Sequence, residues 1–383
     1  MRRVFAFISA IFLFLPIGFI SCDRVKSSVD GRVVSLMDAT TEVNDLGSHI
    51  RDIEVVHLAA DSVLLGIPKK MLKYPGGFIL MFGGEAFGFD DNGQFLHKYG
   101  RIGRGPGEYM GLTDICLDNS EKSLLCLTTQ NEIMQYSIAG GDFERKIDID
   151  IDGITADAVF PMDGNHLAIY VANPSSNDIG NLSKDFYCVK VIDKKGKVRE
   201  EMNLRTDFNV SMAFLSPSMQ NGKNTYTLSY SISSGPCYLF DSEGMSEICF
   251  LDLGQDALPD RFAFTDYDNP WRSIGDVFDK PYYKCTSNVG VFEDFIYCSL
   301  FYEHSSVWNF ITDGDKGIRW LSVPEQGQPI WPIAADGQYL YYIYSDYERT
   351  ESSDPLKKYL IYNKGLVLHS ADNPAILKVR FML

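Results

Sequence analysis

Basic residues are in short supply: 35 Lys and Arg face 51 Asp and Glu in 383 residues, a formal charge of −16. A surface so acidic repels phosphate backbones, which argues against nucleic acid as a partner. Histidine is scarcer still. His49, His57, His97, His166, His304 and His369 form no HxH or HExxH pair, so no zinc site announces itself. There is no Gly-x-Ser-x-Gly elbow and no Gly-Lys-Ser/Thr phosphate loop. Cysteines never occur as CxxC, and beyond the first twenty residues no apolar run is long enough to span a bilayer as a helix.

What is present begins at the N-terminus. Arg2-Arg3 precedes an apolar run, Val4 to Ile20, interrupted only by Ser9, Pro16 and Gly18, and Phe19-Ile20-Ser21-Cys22 follows. A short apolar run behind two arginines, ending at a small residue, reads as a secretory signal over residues 1–21. Its removal takes away Arg2 and Arg3 and moves the formal charge from −16 to −18. A Cys directly after the small residue resembles the bacterial lipobox, with Phe19 where Leu is usual. That resemblance implies acylation of Cys22 and a chain held to a membrane of the cell envelope, the outer membrane on its periplasmic or surface face. Residues 22–48, rich in Ser, Asp, Thr and Val, are expected as a tether. Seven further cysteines remain, mostly in apolar runs that suit small buried hydrophobes.

With 45% hydrophobic residues, 25 Phe and 21 Tyr, the chain can bury a substantial core. Two interleaved series of turns run along it. One comprises Asp90-Asp91-Asn92-Gly93, Gly140-Gly141-Asp142, Asp193-Lys194-Lys195-Gly196, Asp241-Ser242-Glu243-Gly244, Thr312-Asp313-Gly314 and Asn363-Lys364-Gly365. The other falls at Pro75-Gly76-Gly77, Asp118-Asn119-Ser120, Asp163-Gly164-Asn165, Asn221-Gly222-Lys223, Glu293-Asp294 and Asp336-Gly337-Gln338. Residues rich in Val, Ile, Tyr and Phe flank each turn, as in Tyr359-Leu360-Ile361-Tyr362 before the last of the first series. Asp or Asn with Gly supplies the positive φ of a hairpin turn. Two hairpin turns per repeat imply four antiparallel strands per repeat, the pattern of a propeller blade. The expected fold is all-β: a six-bladed β-propeller over residues 49–383, with an insertion at about 255–285. Strands at 52–58 and 375–381 are placed to complete the last blade from both ends of the chain.

The segment Phe89-Asp90-Asp91-Asn92-Gly93-Gln94-Phe95-Leu96-His97-Lys98-Tyr99-Gly100-Arg101-Ile102-Gly103-Arg104-Gly105-Pro106-Gly107-Glu108-Tyr109 resembles the hallmark of six-bladed β-propeller lipoproteins of Bacteroidetes, related to NHL-type propellers. The resemblance is sharpest over residues 50–120. It implies fold, export and lipidation, and no settled activity. In such a fold this segment joins the first two blades on the face where propeller ligands sit. Its glycines free backbone N–H groups, and Arg101 and Arg104 add positive charge, which suits an anion. The other reading is a fixed Gly105-Pro106-Gly107 turn with Glu108 paired to an arginine. Further candidate residues on that face are Tyr109, Glu85, Asn131, Tyr302, Glu303, His304, Tyr344 and Asp346. Tyr beside carboxylates and amides suits a glycan, peptide or protein partner. Oxygen ligands such as Glu85, Asn131 and Asp346 would favour calcium over zinc, but neither a dedicated metal nor a cofactor is expected. A binding or scaffold module is the leading expectation. The alternatives are an NHL-like hydrolase or lyase with a central metal, and a structural component of an envelope complex.

Overall fold

The computed structural model describes residues 32–59, 63, 65–151, 155–171, 189–202, 218–223, 225–228, 234–259, 280–292, 295–302, 306–323, 330–369 and 372–383. Cys22 and the signal-like segment lie outside them. No helix among the described residues is long and apolar enough to cross a membrane.

The strands fall into antiparallel sets of four, nearly all from consecutive sequence, and a short parallel pairing joins the fourth and sixth sets into one nine-stranded sheet. The first unit is Lys70–Tyr74, Gly77–Phe82, Glu85–Asp90 and Phe95–Tyr99. The second is Leu112–Leu117, Ser123–Thr128, Glu132–Ser137 and Phe143–Asp148. The third is Ala158–Pro161, His166–Tyr170, Val189–Asp193 and Val198–Met202. The fourth is Ser218–Asn221, Tyr226–Leu228, Gly235–Asp241 and Gly244–Asp252. The fifth is Lys284–Phe292, Phe295–Phe301, Val307–Thr312 and Gly317–Ser322. The sixth takes Pro332–Ala335, Leu340–Tyr344 and Ala375–Phe381 from the C-terminal end and Ile50–His57 from the N-terminal end. Ile50–His57 pairs antiparallel with Ala375–Phe381, Glu54 opposite Lys378 with their side chains in an ion pair, so the chain ends meet in one sheet.

Turn chemistry explains the hairpins. At Gly93, φ is 80°, and a Cβ there would strike the His57 carbonyl. The outer hairpin of the first unit is therefore tucked against the strand that closes the sixth, and Ala59 N–H donates to the Gly93 carbonyl at 2.9 Å. The same contact recurs two units on, where Gly196 of the third unit sits against the Asp148 carbonyl of the second. Only glycine fits such a position, because it combines a left-handed φ with close backbone approach. The two inner strands of a unit are largely buried on both faces and read as near-continuous apolar runs: every residue of Ala158–Pro161, a first strand, and of Ser123–Thr128, a second strand, is buried.

Two expectations change. The tether does not extend over residues 22–48. From Arg32 the chain is already part of the body: Arg32–Ser35 adds a parallel strand to Gly244–Asp252, Thr41–Glu42 adds one to Gly317–Ser322, and Val34, Leu36 and Leu46 are fully buried. Short parallel edge strands show no alternating pattern, so composition alone reads them as linker. The second change is at Tyr359-Leu360-Ile361-Tyr362, which lies in a helix, Pro355–Lys364 (α1). The Asp354 carboxylate caps the N–H groups of Leu356 and Lys357, Pro355 starts the first turn, and Gly365 ends the helix with φ 62°. Leu356 and Leu360, four apart, bury one face. Of the expected insertion, a 3-10 turn at Gly254–Asp256 and a parallel bridge between Ala257 and Tyr283 are described; residues 260–279 lie outside the described residues.

Candidate functional site

Two constellations stand out: one at the centre, where inner strands converge, and one in the connection between the first two units. At the centre, Thr113 is the extra residue of a bulge between Leu112–Leu117 and Ser123–Thr128. A bulge re-aims the side chain that follows it. Asp114 consequently meets Lys70, whose Nζ lies 2.6 Å from Asp114 Oδ1 and 2.7 Å from Ser218 Oγ. Asp114 Oδ2 accepts from the Val159 N–H at 3.0 Å. Four inner strands thus meet on one buried ion pair, each partner only 1% exposed. The Lys70 ammonium also stands 5.6 Å from the Tyr226 ring centroid, and the Tyr226 hydroxyl accepts from the Leu117 N–H at 2.8 Å. One turn of pleat away, Gln220 accepts from the Lys73 N–H at 2.5 Å and donates to the Lys73 carbonyl at 2.8 Å. These bonds join the first unit to the fourth directly across the centre. Gln220 and Asn221 also pair in parallel with Ala334 and Ala335 of the sixth unit. At this level Lys70, Lys73, Asp114, Ser218 and Gln220 meet at the centre.

The connection between the first two units is built from the inside outward. Arg101–Ile102 pairs in parallel with Glu108–Tyr109. The Tyr109 ring is buried, its hydroxyl donating to the Tyr99 carbonyl at 2.9 Å, and the Tyr136 hydroxyl donates to the Gly107 carbonyl at 3.1 Å. Tyr99, Tyr109, Tyr136 and Phe143 pack edge to face around this point. Burial pushes the Tyr99, Tyr109 and Tyr136 phenols well above their usual range. Gly107 has φ 72°, and a Cβ there would lie 2.8 Å from Phe143 Cβ; one at Gly103 would strike the Glu108 carboxylate. Glu108 accepts from the Gly105 N–H at 2.7 Å and from Arg101 Nε at 2.5 Å, contacts that hold its carboxyl below the usual range. The connection also docks on its neighbours: Leu112 N–H donates to the Gly84 carbonyl and Thr129 N–H to the Gly111 carbonyl.

Of the residues marked on the sequence, several are used inward. Glu85 forms an ion pair with Lys98 on the adjacent pair of strands. Asn131 takes φ 57°, and its side-chain oxygen accepts from the Ala156 N–H at 2.9 Å, tying the second unit to the start of the third. Tyr344 is buried, its phenol pushed up to about 12 by burial and by Asp346. Asp346 is paired with Lys357 of α1 at 2.7 Å, both almost fully buried, with Arg349 Nε at 3.7 Å. Tyr302 rests against Tyr283, ring centroids 5.0 Å apart. Glu303, His304 and Cys22 lie outside the described residues. Facing outward are Arg101, Ile102, Arg104, Pro106 and Met110. The exposed aromatic platform expected for a sugar is therefore not what Tyr109 and Tyr344 provide. The Lys70–Asp114–Ser218 cluster went unmarked in the sequence. Its one local signal is a lone carboxylate, Asp114, inside the apolar run Leu112–Leu117. Among the described residues no three or more His, Cys, Asp or Glu side chains are grouped to hold a metal ion.

Comparison with known proteins gives a family and a fold. A solved protein from Bacteroides fragilis, assigned as exported, superposes with a TM-score of 0.66 at 14% identity, over 92% of this chain and 100% of that one. A member of the DUF4221 family from Bacteroides vulgatus superposes with a TM-score of 0.51 at 9% identity, over 90% of this chain and 98% of that one. At such identities the likeness shows the fold alone. No curated protein matches the chain. The family described as Domain of unknown function (DUF4934) matches residues 33–380, and the chain belongs to it.

Proposed function

We propose that this member of the DUF4934 family is an exported, lipid-anchored β-propeller whose four-stranded units are six blades, and that it works as a binding or scaffold module. The partner we infer is a peptide or protein segment carrying carboxylates beside apolar side chains. The observation that carries this reading is the division of labour in the Gly100–Gly111 connection. Its inward half is locked by Tyr109, Gly107 and the Glu108 contacts, while its outward half presents the Arg104 guanidinium, the exposed side of the Arg101 guanidinium that Glu108 already pairs, Pro106, Ile102 at 53% exposure and Met110 at 47%. A rigid backbone that presents apolar and cationic groups loses little entropy on binding. Exposed aliphatic side chains suit a peptide better than the polar edges of a sugar. Export is supported by the Arg2 to Ser21 segment and by the Bacteroides fragilis neighbour, and lipidation by the lipobox-like approach to Cys22.

The test is thermal unfolding of the chain from Asp23 onward against panels of acidic peptides and of glycans, with calcium and a chelator in separate wells. A ligand at 100 times its Kd adds about 2.7 kcal/mol. Stabilisation by an acidic peptide class that is lost in Arg104→Glu with Ile102→Asp supports the reading. Stabilisation by glycans alone, or a fall with chelator, overturns the peptide assignment in favour of a sugar site or a metal site.

A further inference from the structure

The N-terminal segment crosses the rims of two successive units, the fourth and the fifth, before it joins the last. Arg32–Ser35 is the outermost strand on the fourth unit, with Arg32 opposite Cys249 and Ser35 opposite Asp252. Leu36 N–H continues the pairing to the Asp252 carbonyl at 3.1 Å. Thr41–Glu42 then lies outside the fifth unit, where the Arg319 guanidinium donates to the Met37 and Thr40 carbonyls at 3.2 and 2.6 Å. Ile50–His57 closes the sixth. The chain is fixed from Arg32 onward, and only Asp23 to Gly31 separate that point from Cys22.

Length then decides orientation. However those residues are arranged, they reach no further than about 35 Å. A body of some 350 residues has a radius of gyration of about 20 Å, hence a diameter near 50 Å. The first and fourth units face each other across the centre through Lys73 and Gln220, so their outer strands lie on opposite sides. The rim bearing Arg32 also suits a headgroup layer. Val33 is 42% exposed beside half-buried Ile248 and Phe250, and the Arg32 guanidinium is half exposed. Resting on the lipid-anchor reading above, we propose that the outer rim of the fourth unit, strands Arg32–Ser35 and Gly244–Asp252, lies against the bilayer. The first unit and its Gly100–Gly111 connection then point away from the membrane, towards a partner.

The experiment uses the full acylated chain in phosphatidylcholine vesicles that carry an acceptor dye on the headgroup. A donor is placed at Ser246→Cys on the fourth rim or at Leu96→Cys on the first, both exposed positions. The unsubstituted protein gives the background from its own cysteines. With the two rims separated by about the width of the body, transfer from position 246 should exceed that from position 96 about twofold or more. Equal transfer, or stronger transfer from 96, overturns the orientation while the anchor stands. Failure of the chain to float with vesicles, with Cys22→Ala behaving identically, overturns the anchor and the orientation with it. Inserting about twenty Gly/Ser residues before Gly31 should bring the two efficiencies together. A difference that survives the insertion overturns the argument from tether length.

Discussion

The centre and the first connection each hold one close ion pair, and the two pairs differ most in how deeply they sit. Lys70 and Asp114 are 2.6 Å apart and 1% exposed; Arg101 and Glu108 are 2.5 Å apart, with Arg101 77% exposed. Equal separations do not mean equal consequences. Attraction between exposed charges is weakened by water and by salt, whereas a buried pair that loses one partner leaves an uncompensated charge in a poorly polarisable interior. The centre is therefore a point where strands from four units depend on each other. The connection is held by packing and backbone geometry, and its ion pair decorates a shape already set by glycines and tyrosines.

The largest expected effect tests the centre. Asp114→Ala should destabilise the protein by about 3–5 kcal/mol, because Lys70 is left buried without its counter-charge. Denaturant unfolding measures it. Lys70→Met together with Asp114→Leu should recover most of the loss, since replacing both charges by apolar groups removes the desolvation cost. A single substitution costing no more than a surface pair would erase the contrast between the two regions.

The next effect tests whether backbone shape rules the connection. Gly107→Ala forces a side chain onto φ 72° and to within 2.8 Å of Phe143 Cβ. A cost of about 1–3 kcal/mol is expected. Gly105→Ala should cost less, because its nearest neighbour, at 3.0 Å, is the movable end of Glu108. Smaller again is Tyr109→Phe, which deletes the bond to the Tyr99 carbonyl and should cost about 1 kcal/mol. Comparing the melting curves of the three ranks them; Gly105→Ala exceeding Gly107→Ala would mean that the carboxylate, not the turn, sets the loop.

The same contrast governs what could be read from the sequence. The connection was legible because its glycines, arginines and Glu108 lie within ten residues, and the turns because Asp or Asn with Gly is a local instruction. Strands do flank the turn residues of both series, except at Asn363-Lys364-Gly365, where Asp354-Pro355 and Gly365 are helix caps that outweigh the strand preference of Tyr359 and Ile361. The centre was not legible. Lys70, Asp114 and Ser218 are separated by dozens of residues, and Asp114 faces inward only because of the bulge at Thr113. The parallel strands at Arg32–Ser35 and Thr41–Glu42 were hidden for a related reason: their partners, Gly244–Asp252 and Gly317–Ser322, lie more than two hundred residues away.

The smallest expected effect completes the contrast through pH. The Glu108 carboxyl is held below its usual range by the Gly105 N–H first and by Arg101 next. A carboxyl with a lower value folded than unfolded stabilises fully above its unfolded value, about 4.3, and loses that contribution as pH falls through the folded value. Glu108→Gln should therefore melt slightly below the unsubstituted protein at pH 7, and the gap should close as pH drops below about 4. Added salt should also narrow the gap at pH 7, because Arg101 is exposed. The deficit of Asp114→Ala should persist in the same salt series, since ions screen buried pairs far less. If salt erased both gaps alike, the centre would be no better shielded than the rim, and burial would not be what separates them.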